Sequence, residues 1–274
     1  MARSGPTSPD RGAARRPPGW LGPGVLAAAV VAWEGAARAG WLVPFYFPAP
    51  SRLADTLREL LVVGFPQGVG MGTHIGVTLG RIAQGYALAI ALAIPAGLLI
   101  GWVSALDRLA LPVVTFCRSV ATLSLLPLAI AWFGVGELSK VLLIAYACFW
   151  VVLANVVAGV KYVDPLLVRA ARSLDTGPAG IFLRVALPAA LPRAFAGMRV
   201  ALGVGFMTIV GVEMVGTIQG LGALILEART FFRSDVTLVG MAVIGLCGLA
   251  LSTLLERLER LLLPWHRGLE SVRR

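Results

Sequence analysis

Four charged residues interrupt apolar stretches of this sequence: Glu34, Arg81, Arg118 and Glu213. A charge at the centre of a membrane-spanning helix costs roughly 2.5–3.5 kcal/mol on insertion scales, so each must face protein or a watery path. Arg118 and Glu213 fall near mid-span, where two readings stand: they line a pathway for a polar solute, or they make a buried structural pair. Glu34 and Arg81 fall nearer a span end, from which a long side chain snorkels toward the headgroups. The other chemistry-bearing residues are scattered. His74 and His266 are far apart, and neither an HExxH nor a GxSxG pattern occurs. Lys140 follows Ser139 and Lys161 follows Val160. A phosphate-binding loop needs Gly before its Lys, so ATP is not held that way and no cofactor is expected on this chain. Cys117, Cys148 and Cys247 are widely spaced without a CxxC pair, which indicates small core residues rather than a disulfide framework or a zinc site. An intramembrane enzyme lacks the paired catalytic groups it needs; moving a solute is the chemistry these residues suit.

The elements that must position those charges are membrane helices. Of 274 residues, 58% are hydrophobic and 14% charged, against about 45–50% and about 25% in soluble domains. That balance excludes an ordinary cytosolic enzyme and a disordered chain. Apolar stretches of roughly 20 residues, each enough to cross a bilayer, predict an all-α polytopic membrane protein with six transmembrane helices. They fall at about 21–43, 73–103, 109–133, 138–160, 194–218 and 236–255, the third broken by Pro127. Ala37-Arg38-Ala39 resembles a signal-peptide cleavage site, but the acidic Glu34 spoils a signal core, so an uncleaved first span is expected. The Pro-rich connector Phe47-Pro48-Ala49-Pro50-Ser51 ends in a helix cap. A short interfacial helix follows, with Leu53, Leu57, Leu60 and Leu61 on one face and Asp55, Arg58 and Glu59 on the other. Gly72, Gly76 and Gly80 form a stripe that permits close approach of another helix. The expected organisation is a disordered basic tail (1–20), a first span with its interfacial helix (21–72), a core (73–263) and a C-terminal tail (264–274). Residues 219–222 read as a turn and 227–235 as a connecting segment.

Six spans place both termini on one side. Sixteen of the 24 Lys and Arg residues then lie on the face holding the termini and segment 161–199, and six on the other. With acids included the net charges are +9 and +1, so the positive-inside rule puts the termini and that segment in the cytoplasm. The basic residues sit between spans rather than in a run with interleaved aromatics, so the net charge of +10 does not mark a nucleic-acid binder.

The cytoplasmic segment is the most informative. Asp164-Pro165 starts a helix, the acid capping and Pro taking the first helical position. Leu166, Leu167, Ala170, Ala171 and Leu174 form an apolar stripe, with Arg169 and Arg172 off it. Thr176-Gly177-Pro178 breaks that helix and starts another, carrying Ile181, Phe182 and Val185, with Arg184 polar; Leu187-Pro188 and Leu191-Pro192 end it before the fifth span. Two readings stand. The pair is a docking element whose alanines permit close approach and whose protruding Phe182 fills a partner's groove, or it only covers its own bundle.

The same residues carry a family resemblance. The run from Val163-Asp164-Pro165 through Ala170-Ala171-Arg172-Ser173-Leu174 to Val185-Ala186-Leu187-Pro188-Ala189-Ala190-Leu191-Pro192 resembles the EAA loop of bacterial ABC importer permeases. Further stretches look like the branch for aliphatic sulfonates, taurine, nitrate, related small anions or thiamine precursors. They are Ala32-Trp33-Glu34, Pro48-Ala49-Pro50-Ser51, Pro127-Leu128-Ala129-Ile130 with Trp132-Phe133-Gly134, Gly136-Glu137-Leu138-Ser139-Lys140, and Glu213-Met214 followed by Gly220-Leu221-Gly222. The resemblance covers nearly everything after residue 20. It implies a permease subunit of an ATP-driven importer in the bacterial inner membrane, working as a homodimer. Two cytoplasmic ATP-binding subunits would hydrolyse the ATP, and a periplasmic or lipid-anchored substrate-binding protein would deliver the solute. It further implies an ATPase-coupling set, Arg169, Ala170, Ala171, Asp175, Gly177, Phe182, Leu187 and Pro188. Arg118, Ser119, Thr122, Glu213 and Gln219 are the expected translocation path.

Departures from the pattern bear on that set. Arg169 stands where the signature has Glu, and Asp175 where it has Gly, with Gly177 expected to supply the bend instead. The family acid is expected to pair with a basic residue of the ATPase; Arg169 would repel such a residue unless the ATPase has changed too. A Pro-rich stretch at the start of the third span appears here as Ser119-Val120-Ala121-Thr122 after Arg118. The alternatives are a secondary carrier or channel in which Arg118 and Glu213 act directly on ions, and a degenerate permease paired with an intact one.

Overall fold

In a computed structural model of the chain, residues 21–66 and 68–264 are described. The expected tails, 1–20 and all but the first residue of 264–274, lie outside the described residues. The helices are α1 (Leu21–Arg38), α2 (Pro50–Val62), α3 (Met71–Trp102), α4 (Ser104–Ser119), α5 (Leu126–Phe133), α6 (Glu137–Lys161), α7 (Pro165–Ser173), α8 (Pro178–Ile181), α9 (Leu187–Glu213), α10 (Leu221–Thr230) and α11 (Ser234–Leu262). A 3₁₀ turn at Thr122–Leu125 precedes α5, and a π turn at Phe182–Ala186 joins α8 to α9.

Among the described residues, four helices are long and apolar enough to cross a membrane: α3, α6, the continuous 36-residue rod Pro178–Glu213, and α11. The bent pair Ser104–Ser119 and Thr122–Phe133 makes a fifth if counted as one span. Two sequence expectations are corrected. The third span bends by 84° at residues 120–121, where Val120 and Ala121 are extended, and not at Pro127. Pro127 sits in the first turn of α5, where its missing N–H is no loss. The second correction concerns the fifth span, which has no break at Leu187-Pro188 or Leu191-Pro192. In an α-helix Pro188 would withhold an N–H from residue 184 and crowd its carbonyl. The wider π turn, in which the Leu187 N–H reaches back to the Phe182 carbonyl, takes up that conflict, and the rod continues.

The core is a three-helix sandwich with α6 at its centre. Ile144, Cys148, Val152 and Val156 of α6 pack on Ile82, Ala89 and Ala93 of α3 and on Ala194, Met198, Ala201 and Ile209 of α9. Bare backbone sets the α3–α6 spacing. A Cβ on Gly85 would lie 2.7 Å from the Ile144 Cβ, and one on Gly97 2.8 Å from that of Val156. The close approach therefore uses these glycines, while Gly72, Gly76 and Gly80 face open space within the single chain.

At one end α2, α10 and α11 build a second core from Leu60, Leu221, Leu224, Ala228, Val236 and Val239. Here the expected turn and connector are largely α10, which takes in residues 221–230 and leaves 231–233 as the connection to α11, and α2 is pinned to protein. Thr56 Oγ1 donates to Asp235 at 3.0 Å, and Arg233 donates two bonds to the Glu59 carboxylate at 3.1 and 2.9 Å. Glu34 does not snorkel. It accepts from Arg38 Nε at 2.6 Å, and from the Ser51 N–H at 3.0 Å and the Ser51 hydroxyl at 2.8 Å. A carboxylate from α1 thus satisfies the positive first turn of α2, a role expected of Ser51 itself.

Candidate functional site

The arm at the Lys161 end begins as the sequence requires: Asp164 Oδ1 accepts from the Leu166 N–H at 2.8 Å and caps α7. Its exit is more telling. Asp175 takes a left-handed φ of 56°. The Thr176 N–H bonds the Ala171 carbonyl at 3.2 Å and the Asp175 N–H bonds the Arg172 carbonyl at 3.0 Å. These two bonds are the Schellman pair that ends a helix on a residue normally glycine. The bend therefore lies at Asp175 rather than Gly177, whose φ is −65°. Burial also inverts an expectation. Ala171 turns inward and is 9% exposed, whereas Leu166, Leu167 and Leu174 face outward at 68%, 51% and 80%. Arg169 and Ala170 are exposed as well. Phe182 does not protrude; its ring stacks edge-on against Trp102 at the end of α3, with centroids 5.1 Å apart. Leu187 and Pro188, half-buried, open the helical rod that carries the arm into the bundle.

At the opposite end a buried charged node ties four elements together. Arg81, its side chain 6% exposed, donates Nη1 to Glu213 and to the Gln219 carbonyl, both at 2.9 Å, and Nη2 to Glu137 at 2.6 Å. Glu213 is fully buried and also accepts from Thr78 Oγ1 at 2.9 Å and the Gly222 N–H at 3.0 Å. Lys140 Nζ donates to Glu137 at 3.3 Å. His74 bridges the Phe65 carbonyl at 3.0 Å and the Gly220 backbone. Gly220 has a φ of 132°, and a Cβ there would lie 2.4 Å from the Glu213 carboxyl carbon, so no side chain fits. Arg81, Glu137 and Glu213 are each held by more than one hydrogen bond, the condition under which a buried pair offsets its desolvation.

The elbow between α4 and α5 gathers Arg118, Ser119 and Thr122. Arg118 is exposed and makes no hydrogen bond or ion pair among the described residues. Ser119 Oγ bonds back to the Thr115 carbonyl at 2.9 Å. A cavity of about 230 Å³ lies between α4 and α6, lined by Arg118, Thr115, Asp107, Lys161 and Tyr162 among others. Lys161 Nζ meets Asp107 at 2.7 Å at one end of it, leaving Arg118 as a lining cation without a counter-charge.

The expected path residues therefore separate. Arg118, Ser119 and Thr122 share the elbow; Glu213 belongs to the buried node, and its partner is Arg81, not Arg118. Gln219 joins that node through its backbone carbonyl while its side chain is exposed. Arg81 does not snorkel. The missed signal was legible: His74, Thr78 and Arg81 recur at four and three residues, placing three polar groups on one helical face. Glu137 and Lys140 gave no comparable sign, because only tertiary contact brings them to α3.

A family model described as "Binding-protein-dependent transport system inner membrane component" matches residues 67–268. The chain is 37% identical over 246 residues to the taurine transport system permease protein TauC of Escherichia coli (strain K12), covering 89% of this chain and 88% of that one. It is 31% identical to the putative aliphatic sulfonates transport permease protein SsuC of Bacillus subtilis (strain 168), covering 92% and 90%. The bicarbonate transport system permease protein CmpB of Synechocystis sp. (strain PCC 6803) is 30% identical, with 79% and 80% covered.

Proposed function

The chain belongs to the inner membrane components of binding-protein-dependent transport systems, and from that premise we propose how it works as a multi-pass ABC permease subunit. Membership makes it a transport subunit rather than an enzyme, with an ATP-binding subunit and a substrate-binding protein as its partners. In the proposed arrangement α1, α3, the bent α4–α5, α6, the rod ending in α9, and α11 are six spans with both termini cytoplasmic. Two copies enclose a path and seat two ATPases, which hold the ATP; this chain binds none. The solute is a small anion or zwitterion of the sulfonate, taurine, nitrate or bicarbonate kind, or a thiamine-precursor-like compound, and the binding protein makes most of the selection.

The observation that carries this reading is the arm. Residues 165–174 turn their leucines outward, and the arm runs through the π turn into a single rod that reaches Glu213. A push passed through the turn at 174–177 to Pro178 therefore travels one unbroken rod to the far end of the bundle, the stiff lever that a bistable bundle needs. Arg118, with Ser119 and Thr122, is proposed to meet the anion on its way, since a guanidinium without a counter-charge suits an anionic group.

Uptake into proteoliposomes tests it. With the chain, an ATP-binding subunit, its binding protein and ATP, labelled taurine, an alkanesulfonate or bicarbonate accumulates uphill; omission of the ATPase or of ATP abolishes uptake. Uphill accumulation by this chain alone overturns the proposal in favour of a secondary carrier.

A further inference from the structure

We infer that the cavity between α10, α11 and the loop at Phe45 holds one anionic phospholipid, its phosphate on Arg229 and an acyl chain along Leu238 and Met241. The site shares no lining residue with the cavity at Arg118. It stands whether or not the chain meets an ATPase through α7.

The two helices set the depth of each lining residue. They form an antiparallel hairpin closed by residues 231–233. A Cβ on Gly240 would lie 3.1 Å from the Ile225 Cγ1, and Ala228 packs in one cluster with Val236. The last turn of α10 is therefore level with the start of α11, and earlier α10 residues with the turns that follow. Beside this hairpin lies a cavity of about 760 Å³. Arg229, Thr230 and Ser234 make its shallow end polar, and Ile225, Leu226, Leu238 and Met241 make its deep end apolar. α11 is long and apolar enough to cross a membrane, and its first turn carries Asp235 paired with Arg233. Such charges belong at headgroup level rather than in hydrocarbon. From Ser234 to Met241 the helix rises about 10 Å, enough to pass from the headgroup layer into the acyl region.

Charge and backbone strain identify the occupant. Arg229 is exposed and makes no hydrogen bond or ion pair among the described residues, and no acidic residue among them lines the cavity. Glu227, two positions away, lies on another side of α10, and Asp235 is taken by Arg233 and Thr56. A guanidinium left without a counter-charge at headgroup level suits a phosphate. Phe232 ends α10 with a left-handed φ of 56°. The Arg233 N–H bonds the Ala228 carbonyl at 2.8 Å and the Phe232 N–H bonds the Arg229 carbonyl at 3.1 Å, a closing pair that normally falls on glycine. The Phe232 ring is 76% exposed, so no burial within the chain offsets that strain. It rims the cavity with Tyr46 and with Phe45, whose ring centroid is 6.4 Å away. The Ser234 hydroxyl donates to the Phe45 carbonyl and ties that loop to the hairpin. Exposed aromatic rings at this level suit the bilayer interface. A solute as small as bicarbonate or taurine would leave most of the cavity empty and its apolar floor unmatched. A protein partner need not sort charge from apolar surface by depth. A bilayer does, and the cavity is sorted in that order.

The test is native mass spectrometry of the full-length chain, delipidated in detergent, with phosphatidylglycerol or phosphatidylcholine of matched acyl chains. The wild type is expected to retain one phosphatidylglycerol per chain at least tenfold more tightly than phosphatidylcholine. Arg229→Gln should remove that preference, whereas Arg58→Gln, at an exposed cation on α2, should keep it. Met241→Trp, which fills the floor, should weaken retention of both lipids alike. Phe232→Gly should weaken phosphatidylglycerol retention while melting no lower than the wild type in lipid-free detergent, which separates loss of the rim from loss of the fold. Equal retention of the two lipids by the wild type overturns the inference. So does an equal loss in Arg58→Gln and Arg229→Gln, which would reduce the effect to general surface charge. Displacement of phosphatidylglycerol by millimolar taurine or an alkanesulfonate also overturns it, and assigns Arg229 to the solute.

Discussion

Asp175 holds a backbone angle that L-residues other than Asn and Asp seldom adopt, at the point where the arm turns back toward the bundle. A short polar side chain tolerates φ of 56° better than a branched one, yet glycine would meet no penalty there. The Asp175 side chain is exposed and makes no hydrogen bond among the described residues, so its replacement removes strain and little else. Asp175→Gly should therefore stabilise the protein by roughly 0.5–1 kcal/mol, after the larger unfolded-state entropy of glycine is set against the relieved strain. In a thermal melt of the detergent-solubilised chain that is a rise of about 1–3 °C; a fall would mean that the carboxylate holds the turn in some other way. The sequence placed the break at Thr176-Gly177-Pro178 and its bend at Gly177, because a glycine in a loop is the obvious candidate. Only the hydrogen-bond pattern identifies which residue is left-handed.

Among the elements, α2 shows how a pattern can be right and its meaning incomplete. Its amphipathic face was legible as a membrane-surface helix, but Glu59 on the other face is engaged by protein. The Arg233 guanidinium bonded to Glu59 holds that carboxyl below the usual carboxylate range, and the same pairing pushes Arg233 further up. A carboxyl whose pKa is depressed by folding stabilises the fold above its unfolded pKa, near 4.3, and that contribution is lost as pH falls through the lower, folded value. Acid should therefore loosen α2 from the start of α11. In a series of melts from neutral pH down to about pH 3, Glu59→Gln should show a shallower loss of stability in the acid limb than the wild type. An identical acid limb would mean that the pair contributes nothing, as exposed pairs often do. The rod Pro178–Glu213 is the complementary case. Its two prolines argued for a break; a single turn of altered hydrogen bonding absorbs Pro188, and Pro192 sits inside α9 without ending it.

For the whole molecule, the node at Arg81 ties the helices together at one end of the bundle. Through Glu137, Glu213 and the Gln219 carbonyl it fixes α3, α6, α9 and the entrance to α10 in one arrangement. The lever from the arm ends at Glu213, inside that node. Removing one partner of a buried pair strands the other, at a cost of about 3–5 kcal/mol. Arg81→Met should lower the melting temperature by on the order of 10 °C. The double variant Arg81→Met, Glu213→Gln should recover part of it, because no buried carboxylate is left bare. Equal melting of wild type and Arg81→Met would show that water, rather than Arg81, satisfies Glu213.

Composition, the spacing of apolar stretches and the asymmetry of Lys and Arg were enough to predict a helical membrane protein whose basic face carries an exposed amphipathic arm. Those properties follow from local periodicity and from the cost of charge in lipid, which act on any chain of this composition. The partners of the buried charges were not determined locally. Arg81 and Glu213 are 132 residues apart, and nothing in either neighbourhood distinguishes a pair with Arg118 from a pair with Arg81. Packing decides it: bare glycine backbone draws α3 against α6, α9 closes on the other side of α6, and among the described residues the guanidinium that reaches Glu213 is then Arg81.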